Sequence, residues 1–342
     1  MRRLLRIVFV LFVLAAAAAG FAAWRASVWL HTPIAGLSEP SVFEVERGAS
    51  LRAIATALNR RGWLDHPQVW IAWARLKKRE GDLKAGEYAL APGQTPRSLL
   101  ETLSSGAVIL HGLTFIEGSR VADIRRLIAA DESIGQTLTG KSSEDIMGSL
   151  GAPGVHPEGQ FFPDTYRFAR GTSDLELLGM AYKRMQSELD AAWQNRAKDL
   201  PLATKYEALI LASIIEKETA LDSERAKIGG VFIERLKRGM RLQTDPTVIY
   251  GIENYDGNIR RADLLRDTPY NTYTRSGLPP TPIALPGSAS LRAAVQPEKT
   301  DALFFVATGK GDGSHYFSAT LAEHNAAVQR YLRRLRQQKT SK

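Results

Sequence analysis

The chain has no cysteine among its 342 residues. That absence excludes disulfides, thiol catalysis, thiolate metal sites and a lipoprotein anchor. Histidine is sparse too. The six are scattered, and His315 and His324 have neither a second histidine nor a carboxylate at ligand spacing, so no metal site is expected. No zinc-finger, RNA-recognition or Arg/Lys-tract motif occurs, which argues against nucleic acid as a partner. Gly-x-Ser-x-Gly and Ser-x-x-Lys are also missing, so acyl transfer is weakly supported. GKGDG at 309–313 follows a strand pattern but lacks the Gly-Lys-Ser/Thr ending of a phosphate loop, and it reads as a hairpin turn. No cofactor is implied.

What remains is ordinary globular material, 44% hydrophobic and 24% charged, long enough for two domains. The net charge of +9 suits an anionic polymer or surface. One long apolar run stands out: IVFVLFVLAAAAAGFAAW, residues 7–24, carries no charge. At 1.5 Å per residue it spans roughly 27 Å, close to the hydrocarbon thickness of a bilayer. Arg2, Arg3 and Arg6 place residues 1–6 in the cytoplasm and the rest of the chain across the membrane. Ala-x-Ala triplets within Ala15–Ala19 raise a competing reading, a cleaved signal peptide. Cutting there would leave part of the apolar run on the mature chain, and Trp24 and Trp29 read as interfacial anchors. A retained single-pass anchor over 7–30 is therefore expected.

Pro33–Pro40 is a short linker, and residues 41–109 form a small domain. FEVERGAS opens it as a strand, by the alternation of Phe43 and Val45, and turns at Gly48. Ser50 caps a helix with Leu51, Ile54, Ala55 and Leu58 on one face and Gly62 as its stop. A second helix covers Pro67–Arg79, followed by a strand, a Pro-Gly turn and a helix starting near Thr95. This strand-helix-helix-strand order, with RGASLRAIA, resembles a LysM-like module, a fold that often binds glycans; a plain spacer is the alternative. Residues 110–200 are mostly helical by period, around Val121–Ala130 and Asp174–Leu200, interrupted by GAPGVHPEGQFFPDTYRF at 151–168. The final RYLRRLRQQKTSK is a basic, solvated helical tail.

The informative stretch is ASIIEKETALDSE, residues 212–224. Thr204 begins a capping box in which Glu207 reaches back to the start of a helix running to about Leu221. At 100° per residue, Leu211, Ile214 and Ile215 lie within about 60° of Glu218, whereas Glu216 lies about 160° away. Glu218 therefore completes an apolar stripe, and Glu216 reads as structural or substrate-adjacent. A carboxyl in apolar surroundings has a raised pKa, which suits it to donate a proton and take one back. That is the work of a general acid at a glycosidic oxygen. Pairing of Glu218 with Arg225, or a structural cap, stays open on spacing alone. A second helix starts around Asp222 or Ser223, buries Ile228, Val231, Phe232 and Leu236, and stops at Gly239. Two later segments, RLQTDPTVIYG (241–251) and TPYNTYTRSGLPPTPIALPG (268–287), are dense in amides, hydroxyls, Tyr and Pro, a lining that suits sugars. ALFFVATG is a strand, and the residues after it return as a turn, strand and helix.

Together ASIIEKETALDSER, VFIERLKRGMRLQTDPTVIYG, YNTYTRSGLPPTPIALPG and HPEGQFFPDTY resemble the YceG-like family, the endolytic murein transglycosylases, over nearly the whole chain. The resemblance implies a catalytic domain over 110–336 and places the catalytic glutamate before Thr in Glu-Lys-Glu-Thr, here Glu218. It implies cleavage of the β-1,4 bond between N-acetylmuramic acid and N-acetylglucosamine within peptidoglycan strands, leaving a 1,6-anhydromuramyl end. One carboxyl then suffices, since the muramic C6 hydroxyl replaces water. It further implies that Gln243, Asp245, Asn271 and Tyr273 line the glycan groove, with Glu158 nearby; Asp245 could equally cap a turn ahead of Pro246. The expected location is the bacterial inner (cytoplasmic) membrane, with the catalytic domain outside the cytoplasm. The expected partners are peptidoglycan strands, the membrane and a membrane-bound synthase, a penicillin-binding protein. Two other functions stay open: a hydrolytic muramidase using Glu218 and Asp245, and a non-enzymatic wall-binding protein. The fold expected is α+β, an N-terminal transmembrane helix, a LysM-like α/β module and a mainly helical, lysozyme-like domain with a small sheet.

Overall fold

In the computed structural model, which describes residues 1–340, the apolar run lies inside one 30-residue helix, α1 (Arg2–His31). By length and composition α1 can cross a membrane, and none of its apolar stretch is buried in protein. Phe9, Phe12 and Phe21 are all exposed. A helix apolar on every side has to be covered by lipid or by a core. Its last turn differs: Leu30 is buried, and beyond it the Ile34 N–H donates to the Gln94 carbonyl at 2.8 Å.

Two compact units divide the chain: residues 1–111 with 133–135 and 167–172, and the remainder of the described chain from Gly112. In the first, β1 (Ser41–Val45), α2 (Leu51–Arg60), α3 (Pro67–Leu76), β2 (Gly86–Leu90) and α4 (Pro96–Ser105) follow in order. Strand alternation turns Phe43 and Val45 inward, and β1 pairs antiparallel with β2, Phe43 opposite Tyr88. The Ser50 hydroxyl accepts from the Ala53 N–H at 3.2 Å, starting α2, and Thr95 with Ser98 forms a capping box for α4. Trp70 and Tyr88 are fully buried, yet the Trp70 indole N–H reaches the Pro96 carbonyl (2.8 Å) and the Tyr88 hydroxyl the Lys84 carbonyl (2.8 Å). Their polar ends therefore cost little on burial.

The chain continues through β3 (Leu110–Thr114), α5 (Val121–Ala129), α6 (Ser143–Ser149), β4 (Thr165–Ala169) and α7 (Asp174–Gln194). Helical period alone gave only α5 and α7. β3 and β4 pair with each other, and their five-residue lengths are too short for alternation to stand out. After α7 come α8 (Lys205–Glu218), α9 (Asp222–Lys237), α10 (Asp245–Tyr250), α11 (Arg261–Leu265), α12 (Ser288–Val295), the strands β5 (Phe304–Ala307) and β6 (His315–Ser318), and α13 (Leu321–Thr340). β5 and β6 pair antiparallel, Phe305 opposite Phe317. Ser341 and Lys342, the end of the expected basic tail, lie outside the described residues.

The core of the second unit is built around α8. Every residue from Ala208 to Ile215 is buried, against Ile228 and Phe232 of α9 and Leu291 and Val295 of α12. The expected single apolar stripe is therefore a correction: over those turns α8 has no solvent face, because α7, α9, α10 and α12 all pack on it. Its start differs in detail too. Thr204 accepts from the Glu207 N–H, but the Glu207 carboxylate takes the Ala203 N–H rather than that of Thr204. Glycines bring α9 close to its neighbours: a Cβ on Gly229 would lie 2.5 Å from the Ala293 carbonyl, and one on Gly230 would overlap the Glu298 carbonyl. The Ser213 hydroxyl, donating to the Ile210 carbonyl (2.7 Å), accepts from the Ile283 N–H (3.0 Å) and pins the 268–287 segment to α8. Among the described residues, mixed helices with three two-stranded sheets make up the fold.

Candidate active site

Glu218 is the last residue of α8, where the buried helix ends and Thr219 turns extended (φ −146°, ψ 139°). The Thr244 hydroxyl donates to Glu218 Oε1. Burial pushes the Glu218 carboxyl up to about 6; the Thr244 bond works the other way, the Asp245 charge raises it again, and His315 and Arg235 lower it. Its surroundings are thus more polar than an apolar stripe would give. The raised proton affinity comes from removal of water rather than from aliphatic neighbours.

The turn before α10 holds that hydroxyl in place. Gln243 has φ +49°, left-handed for a residue with a Cβ, and its N–H donates to the Thr272 carbonyl (3.1 Å). The Thr244 N–H reaches Thr272 Oγ1 (3.1 Å), and Thr247 Oγ1 donates to the Thr244 carbonyl (2.8 Å). The side chain of Gln243 is exposed beside these bonds. Asp245, also exposed, is the first residue of α10, and Thr244 takes the cap position, so the expected Asp245 cap is corrected. Instead Asp245 Oδ1 accepts from the Tyr273 hydroxyl at 2.7 Å. Burial first, then the Asp245 bond, pushes the Tyr273 phenol up, keeping it a donor.

Asn271 and Glu158 sit differently from a groove lining. Asn271 is 1% exposed; its amide N–H groups face the carbonyls of Asp263, Leu264 and Arg266, and its Oδ1 accepts from the Tyr273 N–H. It shapes the loop that carries Tyr273. Glu158 is 5% exposed, accepts from the Val121 N–H (3.0 Å) and the Tyr250 hydroxyl (3.1 Å), and is pushed up to about 7 by burial. Since α10 carries both Asp245 and Tyr250, Glu218 and Glu158 are associated with its opposite ends.

Glu216 has its own partners. Its Oε1 lies 3.3 Å from Arg225 Nη2 and its Oε2 accepts from the Gly287 N–H (2.9 Å). Arg225 also pairs with Asp222. The pairing of Arg225 with Glu218 left open by spacing is therefore not formed. Glu117, missed in the sequence, approaches the same place: a Cβ on Gly287 would overlap its carboxylate, and burial first, then Glu216, raises its pKa. His315 has no carboxylate at ligand spacing in the sequence, and its partner is brought by the fold. That partner stands 91 positions away: Glu224 Oε2 lies 2.7 Å from His315 Nδ1, and Oε1 takes the His315 N–H at 3.0 Å. Thr244 was missed because a hydroxyl before Asp-Pro reads as a helix cap. Among the described residues no group of three or more His, Asp or Glu could hold a metal ion.

The chemistry available here is proton transfer by Glu218 beside a second, fixed carboxylate and several hydroxyls. Comparisons with known proteins bear on that arrangement. The endolytic murein transglycosylase of Bacillus subtilis (strain 168) is 32% identical over 305 residues, 84% of this chain and 84% of that protein. That of Streptococcus pneumoniae serotype 2 is 28% identical over 319 residues, 83% of this chain and 57% of the relative. A YceG-like protein from Listeria monocytogenes, whose crystal structure is known, aligns over 84% of this chain and 99% of its own with TM-score 0.51 and 28% identity. The YceG-like family model matches residues 43–330, from the first strand into α13. That span takes in both units and every residue placed around Glu218, and the chain belongs to the YceG-like family.

Proposed function

We propose that the protein is a lytic transglycosylase, a lyase that cuts the β-1,4 bond between N-acetylmuramic acid and N-acetylglucosamine inside peptidoglycan strands. The observation that carries the reading is the Glu218 carboxyl: pushed up to about 6 by burial, touched by Thr244, at the half-buried end of the helix whose middle turns are enclosed. A group with that pKa is available in both protonation states near neutrality. Glu218 gives its proton to the leaving O4 as the C1–O4 bond breaks. The resulting carboxylate takes the proton of the muramic C6 hydroxyl as O6 bonds to C1. The products are a 1,6-anhydromuramyl end and a free 4-hydroxyl, with no water consumed.

The neighbours have distinct parts in this account. The Thr244 hydroxyl fixes the rotamer of Glu218. Asp245, held by Tyr273, supplies negative charge towards the oxocarbenium-like centre, and Gln243 offers an amide to the substrate. Asn271 holds the loop, and Glu158 holds α10 through Tyr250. A muramidase would use Asp245 to activate water. The two outcomes differ in the strand end produced, so mass spectrometry of the products from purified glycan strands tests the reading.

Residues 7–30 are proposed as a retained anchor, with residues 41–109 as a LysM-like module outside the cytoplasm, bound to or near glycan. The β-α-α-β order with β1 and β2 antiparallel supports that module. The mainly helical 110–336 region is read as the lysozyme-like catalytic domain. Tethering raises local concentration at the bilayer, where strands are made, so internal cuts near a membrane-bound synthase are the proposed setting.

A further inference from the structure

A cavity of about 530 Å³ lies in the second unit, away from Glu218, between α7, the start of α8 and the 280–281 corner. It is within the size range of small-molecule sites. His156, Gln160, Tyr182, Gln186, Tyr206 and Thr281 line it, and none of the mechanism above uses them. Tyr182 and Gln186 are one helical turn apart on α7 and so share a face. Gln186 Nε2 donates to Gln160 Oε1 at 3.1 Å. Among the described residues that is the one side-chain bond either amide makes, so each keeps donor or acceptor capacity for a ligand. Lys205 is the one cation at the rim, and it is paired with Asp190 at 2.5 Å; among the described residues no carboxylate lines the cavity. Burial lowers the His156 pKa, which favours the neutral ring.

A site of amides, phenols and a hydroxyl, without unpaired charge, fits a neutral ligand rich in hydroxyl and acetamido groups. Its position narrows the choice. Tyr206 precedes Glu218 by 12 positions on the same helix, roughly 18 Å along its axis. The 268–287 segment forms a wall at both places, with Tyr273 at the catalytic end and Thr281 at the cavity. Between them Thr281 Oγ1 lies 2.9 Å from the Tyr270 hydroxyl, and Tyr270 meets Tyr250 edge to face at 4.7 Å. A wall of phenols and hydroxyls thus runs from the cavity to α10.

We propose that this cavity is a remote glycan subsite, which holds an N-acetylhexosamine of the same strand several sugars from the bond cut at Glu218. The proposal rests on the lytic transglycosylase reading, and it assigns the preference for internal bonds to a second grip on the chain. The Gln160–Gln186 amides meet an acetamido group, and the faces of Tyr182 and Tyr206 meet a sugar ring.

The test uses full-length protein in detergent micelles and peptide-free glycan strands sorted by length. Two variants act in opposite ways on the same place: Gln186→Ala removes an amide, and Gln186→Trp fills the cavity. The ratio of kcat/KM on long strands to that on short ones, too short to reach the cavity, is expected to fall about tenfold in each, through KM, the equivalent of about 1.4 kcal/mol. In parallel, long strands are titrated onto Glu218→Gln protein with and without Gln186→Trp, where binding is expected to weaken about tenfold. Melting curves confirm that each variant is folded. A ratio and an affinity that both stay at the parent values overturn the subsite. If the parent protein cuts no strand, the functional reading fails, and the binding arm still decides whether the cavity holds glycan.

Discussion

Arg225 is bonded to Glu216 (Nη2 to Oε1, 3.3 Å), while Glu218, two residues on, takes the hydroxyl of Thr244 instead. Two glutamates one residue apart are thereby given different duties. The Arg225 and Glu216 side chains are 9% and 5% exposed, a buried ion pair whose loss leaves a charge without its partner. Glu216→Gln is expected to lower stability by on the order of 1–3 kcal/mol, limited by the remaining Asp222 contact, with activity falling only as the folded fraction does. Denaturant unfolding and initial rates on the same samples check this. A stable but inactive Glu216→Gln protein would transfer the catalytic role to Glu216.

Glu218→Gln should do the reverse. Its amide oxygen still accepts from Thr244, so the fold is kept, while cleavage falls by at least about 10²–10⁴-fold, the range for loss of a general acid. The folded carboxyl is raised to about 6 from 4.5, so its favourable contribution is complete below about 4.5 and is lost as pH rises through 6. The variant should therefore melt above the parent at pH 8 and match it at pH 4. Full activity in folded Glu218→Gln protein would sink the mechanism.

Glu158 gives the same sign over a wider window. Raised from 4.5 to about 7 by burial, it stabilises the fold most at low pH and loses that contribution as pH rises through 7. Glu158→Gln should flatten the decline in stability between pH 5 and 8, a difference on the order of 2–3 kcal/mol at the upper end. Melting temperatures across that range read it out. An unchanged pH slope would show that Glu158 ionises alike in the folded and unfolded chains.

Much of this was legible because local chemistry decided it. Ser50, Thr95 and Thr204 announce helix starts, Phe43 and Val45 alternate, and the uncharged 7–24 run reports its own length. Glu218 was reached by a helical-face argument that the packing corrects: α8 is enclosed on all sides, and what separates the two glutamates is their partners. Those partners come from 26 and 9 positions away, Thr244 and Arg225 respectively. The His315–Glu224 pair spans 91 positions. No periodicity carries such information, since only tertiary folding creates it. Asn271 looked like a ligand because polar loops look alike in sequence, whether their amides face solvent or backbone.

Gly230 makes the tightness of α9 measurable. Alanine ordinarily favours a helix interior by about 0.5–1 kcal/mol. Here its Cβ would overlap the Glu298 carbonyl, so Gly230→Ala should instead destabilise by about 1–3 kcal/mol. A stabilised variant would mean that the 298–300 turn moves freely.

The anchor needs a cut that respects the structure. Leu30 is buried and Trp29 packs on the first core, so removing residues 1–30 would injure the first unit. Deleting residues 2–24 should leave bond chemistry on isolated strands intact, yet abolish the effect on strand length in cells when the shortened protein is exported at equal abundance. Normal shortening by the untethered form would make the tether incidental. N-terminal sequencing of membrane-extracted parent protein should begin at the initiator end, whereas a chain starting after Ala19 would show a cleaved leader.

The most direct measurement is the mass of the new strand ends made by the purified protein from isolated glycan. A carboxyl that gives its proton to O4 and takes one from the C6 hydroxyl leaves 1,6-anhydromuramyl ends, and these should account for all new muramyl ends and vanish with Glu218→Gln. Reducing muramyl ends carrying oxygen from labelled water would contradict the account, and would assign Asp245 the role of activating that water.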